Sequence, residues 1–203
     1  MTANDIGVTD GVAPGGGRRI ILDGCTLLNL FASRRIADIF GTMPHPFAVA
    51  DYVANKEALW VGRHRSGPSA ECERVDIGPL ISSGLIEVLT LDGDEEVAHF
   101  LALVSSARID DGEAMSGALA HARGLVVATD DRAALRVFGS HTPPISTCST
   151  ADLVKHWAEC AAVDVATLQR VLIDIRERGC FEPGSRDPLQ GWWRAAMSGS
   201  GAV

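Results

Sequence analysis

The sequence predicts an α/β fold, a three-layer sandwich with a mainly parallel central sheet and additional helices at the C-terminus. Short apolar segments alternate along the chain with longer segments in which apolar residues recur at helical spacing. The short segments are rich in valine, isoleucine and leucine, which is typical of strands buried on both faces of a parallel sheet. Because strands and helices alternate, the order of the elements favours a sheet covered by helices.

The clearest example of this alternation is the segment 110–136. Its first helix begins with three carboxylates that suit the positive end of a helix dipole, namely Asp110, Asp111 and Glu113. Gly124 follows the last helical residue, as is typical of glycine at a helix C-terminus. Residues 125–129 are then predicted to be a buried strand, and Asp130 and Asp131 stand at its carboxyl end.

The remaining elements follow from the same patterns. Strands are predicted at residues 18–22, 47–50, 85–89 and 143–147, and helices at residues 27–31, 36–40, 52–60, 77–83, 95–106, 150–161 and 165–177. Asp51 is positioned to cap the helix over 52–60, and residues 62–76 are predicted to form a polar loop. The predicted organisation is a disordered tail (1–17), a central α/β domain (18–147), a helical extension (148–181) and a partly ordered tail (182–203).

Composition and cysteine usage indicate a cytoplasmic protein. The five cysteines are scattered and form no CxxC motif, so we expect reduced thiols and neither a disulfide nor a zinc framework. No apolar run is long enough to span a bilayer, and the N-terminus lacks the apolar core of a signal peptide. The net charge of −8 argues against a nucleic-acid coat protein but is compatible with a nuclease, because acidic metal ligands contribute to that charge.

Several carboxylates are expected near one edge of the sheet. They lie directly after a strand or on the helix that follows one, or they begin a helix, and they are Asp23, Glu57, Glu113, Asp130 and Asp131. Taken alone, each has a simpler interpretation as a helix cap, a complement to the helix dipole or a solvated helix residue. In open α/β sheets, ligands bind outside the carboxyl ends of the strands. Hard divalent cations prefer oxygen ligands such as carboxylates. The convergence of several acids therefore predicts a divalent-metal site.

Three segments resemble PIN-domain nucleases. ILDGCTLLNL is similar to their opening strand and acidic turn, and ADYVANKEAL is similar to their glutamate-bearing helix. GEAMSGALAHARGLVVATDDRAA, the most specific of the three, is similar to the segment in which the third acid begins an alanine-rich helix and the fourth follows a threonine. The resemblance covers about residues 20–146 and is closer to the uncharacterised prokaryotic PIN branch than to the compact VapC-type toxin ribonucleases. Cys25 and Thr26 depart from the toxin pattern, which more often has Asn or Ser and then an aliphatic residue.

The resemblance implies a metal-dependent endoribonuclease that prefers single strands and uses Mg²⁺ or Mn²⁺. It implies that Asp23 and Asp131 are direct metal ligands, with Asp130 adjacent, that Glu113 is a ligand directly or through water, and that Glu57 positions water. Arginine is the better bidentate phosphate partner, and the candidate phosphate contacts are Arg34, Arg63, Arg132 and Arg136. The expected partners are RNA, an antitoxin protein and a second copy of the chain.

Other site classes fit the sequence less well. A haloacid-dehalogenase-type phosphatase needs a second acid two residues after Asp23, where Cys25 stands, and a receiver domain needs a late lysine that is missing between Lys56 and Lys155. No GxxxxGK[ST] motif indicates a nucleotide-binding P-loop. The six histidines have no close metal-ligand spacing, which argues against zinc. The alternative that stays open is a PIN fold that binds RNA or protein without cleaving it.

Overall fold

A computed structural model describes residues 17–56, 60–61, 73–106 and 109–199. The strands are β1 (Ile20–Leu22), β2 (Phe47–Ala50), β3 (Trp60–Val61), β4 (Glu73–Arg74), β5 (Ile86–Leu89), β6 (Val126–Ala128) and β7 (Thr147–Cys148). The helices are α1 (Gly24–Ala32), α2 (Ile36–Thr42), α3 (Asp51–Asn55), α4 (Gly78–Ser82), α5 (Asp94–Ser106), α6 (Asp111–Arg123), α7 (Arg132–Ser140), α8 (Thr150–Cys160), α9 (Val165–Arg178) and α10 (Gln190–Met197). None of the helices in these ranges is both long and apolar enough to cross a membrane.

Five strands form a parallel sheet in the order β5-β2-β1-β6-β7. The central strand β1 pairs with both neighbours, so that Ile20 lies opposite Phe47 on one side and Val126 on the other. The chain builds one half of the sheet through β1, β2 and β5 and then returns to build the other half through β6 and β7. Because parallel crossovers are right-handed, connections that run in opposite directions lie on opposite faces of the sheet. The predicted α/β fold with a mainly parallel sheet is confirmed, and this topology is that of a three-layer sandwich.

The described residues form two compact units whose segments interleave along the chain, whereas the sequence-based boundaries were contiguous. The first unit holds the parallel sheet and comprises described residues within 17–26, 44–56 and 77–149; the second comprises those within 27–43, 60–76 and 150–199. In the first unit, α6 packs on α5 and on the strands β1, β2 and β6. In the second unit, α10 packs on α9, α2 packs on α8, and β3 pairs with β4.

Most predicted elements agree with the structure, and three differ. The helix predicted over 52–60 ends at Asn55, and Trp60 instead begins β3, which pairs with β4 inside the predicted loop 62–76. The strand predicted over 143–147 is reduced to β7, because Pro143 and Pro144 have no N–H groups to donate to a ladder. Residues 190–197, within the predicted C-terminal tail, form α10.

Helix α6 is buried around most of its circumference. Its buried residues are mostly small: Gly112, Ala114, Ser116, Gly117, Ala118, Leu119 and Ala120. Small side chains let the backbone of this helix approach the sheet and α5 closely, which explains why the segment is rich in alanine and glycine. Gly124 ends the helix with φ 65°, a left-handed conformation that glycine adopts without strain, as the sequence predicted.

Candidate functional site

The carboxyl ends of β1 and β6 meet at the centre of the sheet. Leu22 and Ala128, the last residues of these two strands, are register partners, and Asp23 N donates to Ala128 O at 3.1 Å. From β1 the chain continues towards β2, and from β6 it continues in the opposite direction, towards β7. Such a point, at which the strand order reverses, opens a crevice beyond the strand ends in α/β sheets and commonly holds their binding sites.

Asp23 is buried at this point, with 2% of its surface exposed. Its Oδ1 accepts a hydrogen bond of 2.7 Å from the amide of Thr26 and thereby caps the start of α1. Burial raises the pKa of this carboxyl, while hydrogen bonds from the Thr129 side chain, the Thr26 amide and the Cys25 thiol oppose that shift. A buried carboxylate with several donors around it is held in one orientation.

The thiol of Cys25 is a donor to Asp23. Its Sγ lies 3.3 Å from Asp23 Oδ1 and 3.2 Å from Oδ2. Partial burial of the sulfur and the neighbouring carboxylate of Asp23 raise the pKa of this thiol, so it stays protonated at neutral pH. A neutral thiol is a poor nucleophile, so these surroundings disfavour a cysteine-nucleophile mechanism at this position.

Glu113 lies in the first turn of α6 and forms a capping box with Asp110. Glu113 N donates to Asp110 Oδ1 at 2.8 Å, and Asp110 N donates to Glu113 Oε2 at 3.1 Å. Burial raises the pKa of Glu113, the hydrogen bond from Asp110 N lowers it, and the carboxylates of Asp110, Asp131 and Asp23 raise it; the result is a pKa of about 7. Glu113 is therefore within electrostatic range of both acids at the strand ends.

Asp131 is the N-cap residue of α7. Its Oδ1 accepts from Ala133 N at 2.6 Å and from Ala134 N at 2.9 Å, and its own amide donates to Thr129 Oγ1 at 3.1 Å. The buried Thr129 side chain thus hydrogen-bonds to both Asp23 and Asp131. One threonine at the end of β6 links the two aspartates expected to bind metal.

Asp130 has different neighbours. Its backbone and its carboxylate both act on the pKa of the Cys25 thiol, the backbone by a hydrogen bond and the carboxylate by its charge. Asp131, by contrast, acts on Glu113. The two consecutive aspartates therefore affect the pKa values of different groups, as expected where a strand ends and successive side chains point in different directions.

A further carboxylate lies at the same edge, after β2. The sequence suggested that Asp51 caps α3, but the N-cap residue is Ala50 and no side chain makes a cap hydrogen bond there. Asp51 is the first residue of the helix, and its Oδ1 is buried without a hydrogen-bond partner in the described structure. A buried carboxylate oxygen without a donor is costly, so a cation or a water molecule bound there would stabilise it.

We call the place where Asp23, Glu113 and Asp131 approach one another the acidic edge of the sheet. Its donors are carboxylate oxygens, which are the ligands that hard divalent cations prefer. Asp23, Glu113 and Asp131 would hold the ion, and Asp130 and Asp51 lie close along the chain or the sheet edge. Among the described residues, these acids do not form a group whose ligand atoms all lie within 4.8 Å of one another. Mg²⁺ usually keeps several waters and binds through one or two carboxylates, so bridging waters are expected between the ion and some of these acids.

The arginines expected to contact phosphate are placed differently. Arg132 and Arg136 are exposed and lie one turn apart on α7, directly after Asp131, with Arg136 Nε donating to Arg132 O at 3.0 Å. Arg34 is exposed in the second unit, where it lines a groove together with Arg170. Glu57 and Arg63 lie outside the described residues.

Three features of the molecule had no clear indication in the sequence. The link from Thr129 to Asp23 depends on the register of β1 against β6, which a Thr-x-Asp spacing only hints at. The contact of the Cys25 thiol with Asp23 is local, but no sequence pattern indicated it. The third feature corrects the sequence argument about histidines. Although they are far apart in sequence, His99, His121 and His141 come together, and each offers a ligand atom within 4.8 Å of the others.

Comparison with models of protein families gave no match for this chain, and comparison with curated proteins gave none either.

Proposed function

We propose that this protein is a phosphodiester hydrolase that depends on Mg²⁺ or Mn²⁺, and specifically an endoribonuclease that acts on single-stranded RNA. One observation carries the proposal. Asp23, Glu113 and Asp131 reach one edge of the sheet from three separate parts of the chain, and the first and last of them raise the pKa of the second. Repulsion between carboxylates is unfavourable in the metal-free protein, and a bound cation relieves it.

The surroundings of the three acids suit them to different roles. A bound divalent ion supplies activation of a water molecule and stabilisation of charge on the phosphate oxygens. Asp23 and Asp131 are fixed by cap amides and by Thr129, so they suit the role of rigid ligands. Glu113 uses Oε2 in its capping box, which leaves Oε1 to accept a proton from water, and a pKa of about 7 suits that task at neutral pH.

Phosphate recognition is assigned to α7. Arg132 and Arg136 present their side chains one turn apart, beside the acid that caps the same helix. A guanidinium group can donate two parallel hydrogen bonds to a phosphate, which gives both charge and direction. On a chain with a net charge of −8, such a local pair of arginines is expected to guide an anionic substrate towards acids that would otherwise repel it.

The remaining partners follow from the same proposal. The PIN-domain resemblance implies an antitoxin protein and a homodimer as partners, and the cysteine usage indicates a cytoplasmic location. Light scattering of the purified full chain tests the homodimer, and co-purification from the native host tests the antitoxin.

A binding module that does not cleave RNA is the second candidate, and a specific observation favours it. Asp23, Glu113 and Asp131 each accept a hydrogen bond from a helix-start amide, so folding alone accounts for the presence of an acid at each position. The two candidates differ in one measurable property. The nuclease must turn over RNA in a metal-dependent way, whereas the module only retains it.

The deciding experiment uses the full chain without an affinity tag. End-labelled single-stranded RNAs of mixed sequence are incubated with Mn²⁺ and, in parallel, with excess EDTA. We expect cleavage with Mn²⁺ that EDTA abolishes and that Asp23→Asn removes. Asp164→Asn is the matched control, because Asp164 caps α9 by a bond of 2.9 Å to Thr167 N and is not one of the acids at the sheet edge. Equal cleavage in EDTA, or full activity of Asp23→Asn, contradicts the proposal; binding without cleavage identifies the module.

A further inference from the structure

Three histidines from three different helical segments of the first unit meet in a second cluster. His99 lies on α5, His121 lies on α6, and His141 is the C-cap residue of α7. The ring centroids of His99 and His121 are 4.2 Å apart, those of His121 and His141 are 4.5 Å apart, and those of His99 and His141 are 6.2 Å apart. All three residues are half-buried, so an ion can reach the rings from solvent.

The packing of the helices explains why the rings converge. A Cβ added at Gly117 on α6 would lie 2.5 Å from Phe138 Cε1 on α7 and 3.1 Å from Leu103 Cδ1 on α5. The missing side chain lets these three helices approach one another at this point. Each histidine lies three or four residues from one of these contact residues, which is one helical turn. The cluster therefore sits on a rigid, closely packed base.

The ring of His141 is held in an orientation that suits metal binding. His141 Nδ1 lies 3.1 Å from Pro143 O, and since a carbonyl only accepts hydrogen bonds, Nδ1 is the donor in this contact and Nε2 is the ring nitrogen left to face an ion. A second ring nitrogen that donates to a carbonyl is a recurrent feature of metal-binding histidines.

We propose that His99, His121 and His141 form a metal site that binds Zn²⁺ through three imidazole nitrogens. Imidazole suits zinc and similar transition metals, whereas Mg²⁺ and Ca²⁺ prefer oxygen. Zn–N bonds of about 2.0–2.1 Å in a tetrahedron require nitrogens roughly 3.3 Å apart. The ligand atoms already lie within 4.8 Å of one another, so small side-chain rotations close the site. Three protein ligands leave a fourth position for water or for the carboxylate of Glu95, whose Oε1 lies 3.8 Å from His99 Nε2.

This zinc site is separate from the acidic edge. His121 is in the last turn of α6 and Glu113 in its first turn, and 121 − 113 = 8 residues, or about 12 Å along the helix axis. The donor sets also differ, with nitrogen at one site and oxygen at the other. Zinc at the histidines would cross-link α5, α6 and the C-terminal end of α7, and the proposal does not depend on nuclease activity.

Calorimetric titration of the full chain, freed of any histidine tag and stripped with a chelator, tests the site. We expect one equivalent of Zn²⁺ to bind in the presence of millimolar Mg²⁺. His99→Ala and His121→Ala should each weaken this binding by more than about 100-fold, since the loss of even an outer-sphere partner of a metal ligand costs 10–100-fold. Co²⁺ provides a second reading, because tetrahedral coordination by imidazole gives visible absorption bands that both variants should lose.

Two controls make the result specific. His45→Gln removes a histidine that does not belong to the cluster, and Asp23→Asn changes the acidic edge; both should bind Zn²⁺ as the wild type does. Circular dichroism and urea unfolding without metal establish that His99→Ala and His121→Ala are folded. No zinc binding by the wild-type chain, or undiminished binding by the folded His99→Ala and His121→Ala variants, overturns the proposal and leaves the three rings as a packing contact.

Discussion

Glu113 and His121 lie on the same helix, α6, in its first and last turns, about 12 Å apart along its axis. The helix is closely packed and buried over most of its length, so it behaves as a rigid connection between the acidic edge of the sheet and the histidine cluster. A substitution that shifts α6 should therefore disturb both places, whereas a substitution at one end that preserves the packing should disturb only one.

Asp23→Asn should reduce RNA cleavage by more than about 100-fold, since even outer-sphere partners of a metal site contribute 10–100-fold. The fold should remain, because asparagine caps a helix as well as aspartate and the buried charge is removed. Initial rates with Mn²⁺ and urea unfolding measure the two effects. Asp164→Asn, the same change at the cap of α9, should leave the rate unchanged; a normal rate for Asp23→Asn would mean that Asp23 only caps α1.

Asp131→Asn should weaken Mn²⁺ binding and cleavage together, and Asp130→Asn should affect both less. Asp131 acts on Glu113 at the acidic edge, while Asp130 acts on the Cys25 thiol. Loss of a ligand carboxylate should cost more than the ~0.2–1 kcal/mol of an exposed ion pair. Calorimetric titration of both variants with Mn²⁺ compares them, and a larger loss for Asp130→Asn would place the metal one residue earlier at this strand end.

Stability of the metal-free protein should fall as the pH rises, because of Glu113. Its pKa is raised from 4.5 to about 7, so between these values the folded chain holds a proton that the unfolded chain has released. The free energy of unfolding then decreases with pH over this interval and levels off above it. Glu113→Gln should remove this part of the slope and be more stable than the wild type at pH 8 by about 1–2 kcal/mol, a value reduced for solvent screening. Urea unfolding in EDTA at several pH values measures it, and parallel curves for the two proteins would refute it.

Glu96→Gln should destabilise the protein by about 1.5–3 kcal/mol, the usual contribution of hydrogen bonds to charged groups. Glu96 is 7% exposed and accepts from Arg123 Nε at 2.7 Å, from Arg123 Nη2 at 2.8 Å and from Asp92 N at 2.7 Å. This pair joins the start of α5 to the end of α6. Glu159→Gln, which breaks a more exposed pair with Lys155 on α8, should change stability by less than about 0.5 kcal/mol. Equal effects of the two substitutions on urea unfolding would contradict the prediction.

Gly117→Ala should destabilise the protein by about 1–3 kcal/mol, because the added methyl meets the fully buried ring of Phe138. Gly139→Ala is the matched control, since nothing lies within 4 Å of its added Cβ and alanine is favoured in a helix by up to about 1 kcal/mol. Thermal unfolding should thus move in opposite directions for the two variants. Gly117→Ala should also weaken Zn²⁺ binding, and unchanged stability would show that the three helices tolerate a wider spacing.

The sequence predicted the sheet well because its three inner strands, β1, β2 and β6, are buried on both faces. Uninterrupted apolar segments such as Ile20–Leu22 and Val126–Ala128 are characteristic of buried parallel strands, and the acids that follow them were recognisable for the same reason. The shortened α3 was not predictable, because residues 56–60 have apolar spacing that suits either a helix or a strand.

Side-chain contacts between distant elements were the least predictable part. The cap bonds of Asp131 and Glu113 follow local rules, but the link of Thr129 to Asp23 needs the register of β1 against β6. Predicting the histidine cluster would require the packing of three helices as well. Its members are 121 − 99 = 22 and 141 − 121 = 20 residues apart, and only the close approach of three helices at Gly117 brings them together.

The helix caps have an evolutionary consequence. Asparagine caps a helix as well as aspartate does, and glutamine can replace glutamate in a capping box. A single codon change at Asp23, Asp131 or Glu113 can therefore remove a carboxylate charge from the acidic edge while the amide it caps keeps an acceptor. If the chain is the nuclease proposed above, its descendants would pass from cleaving RNA to holding it in one step and without refolding, so a nuclease and a binding module on this scaffold would be separated by a single substitution.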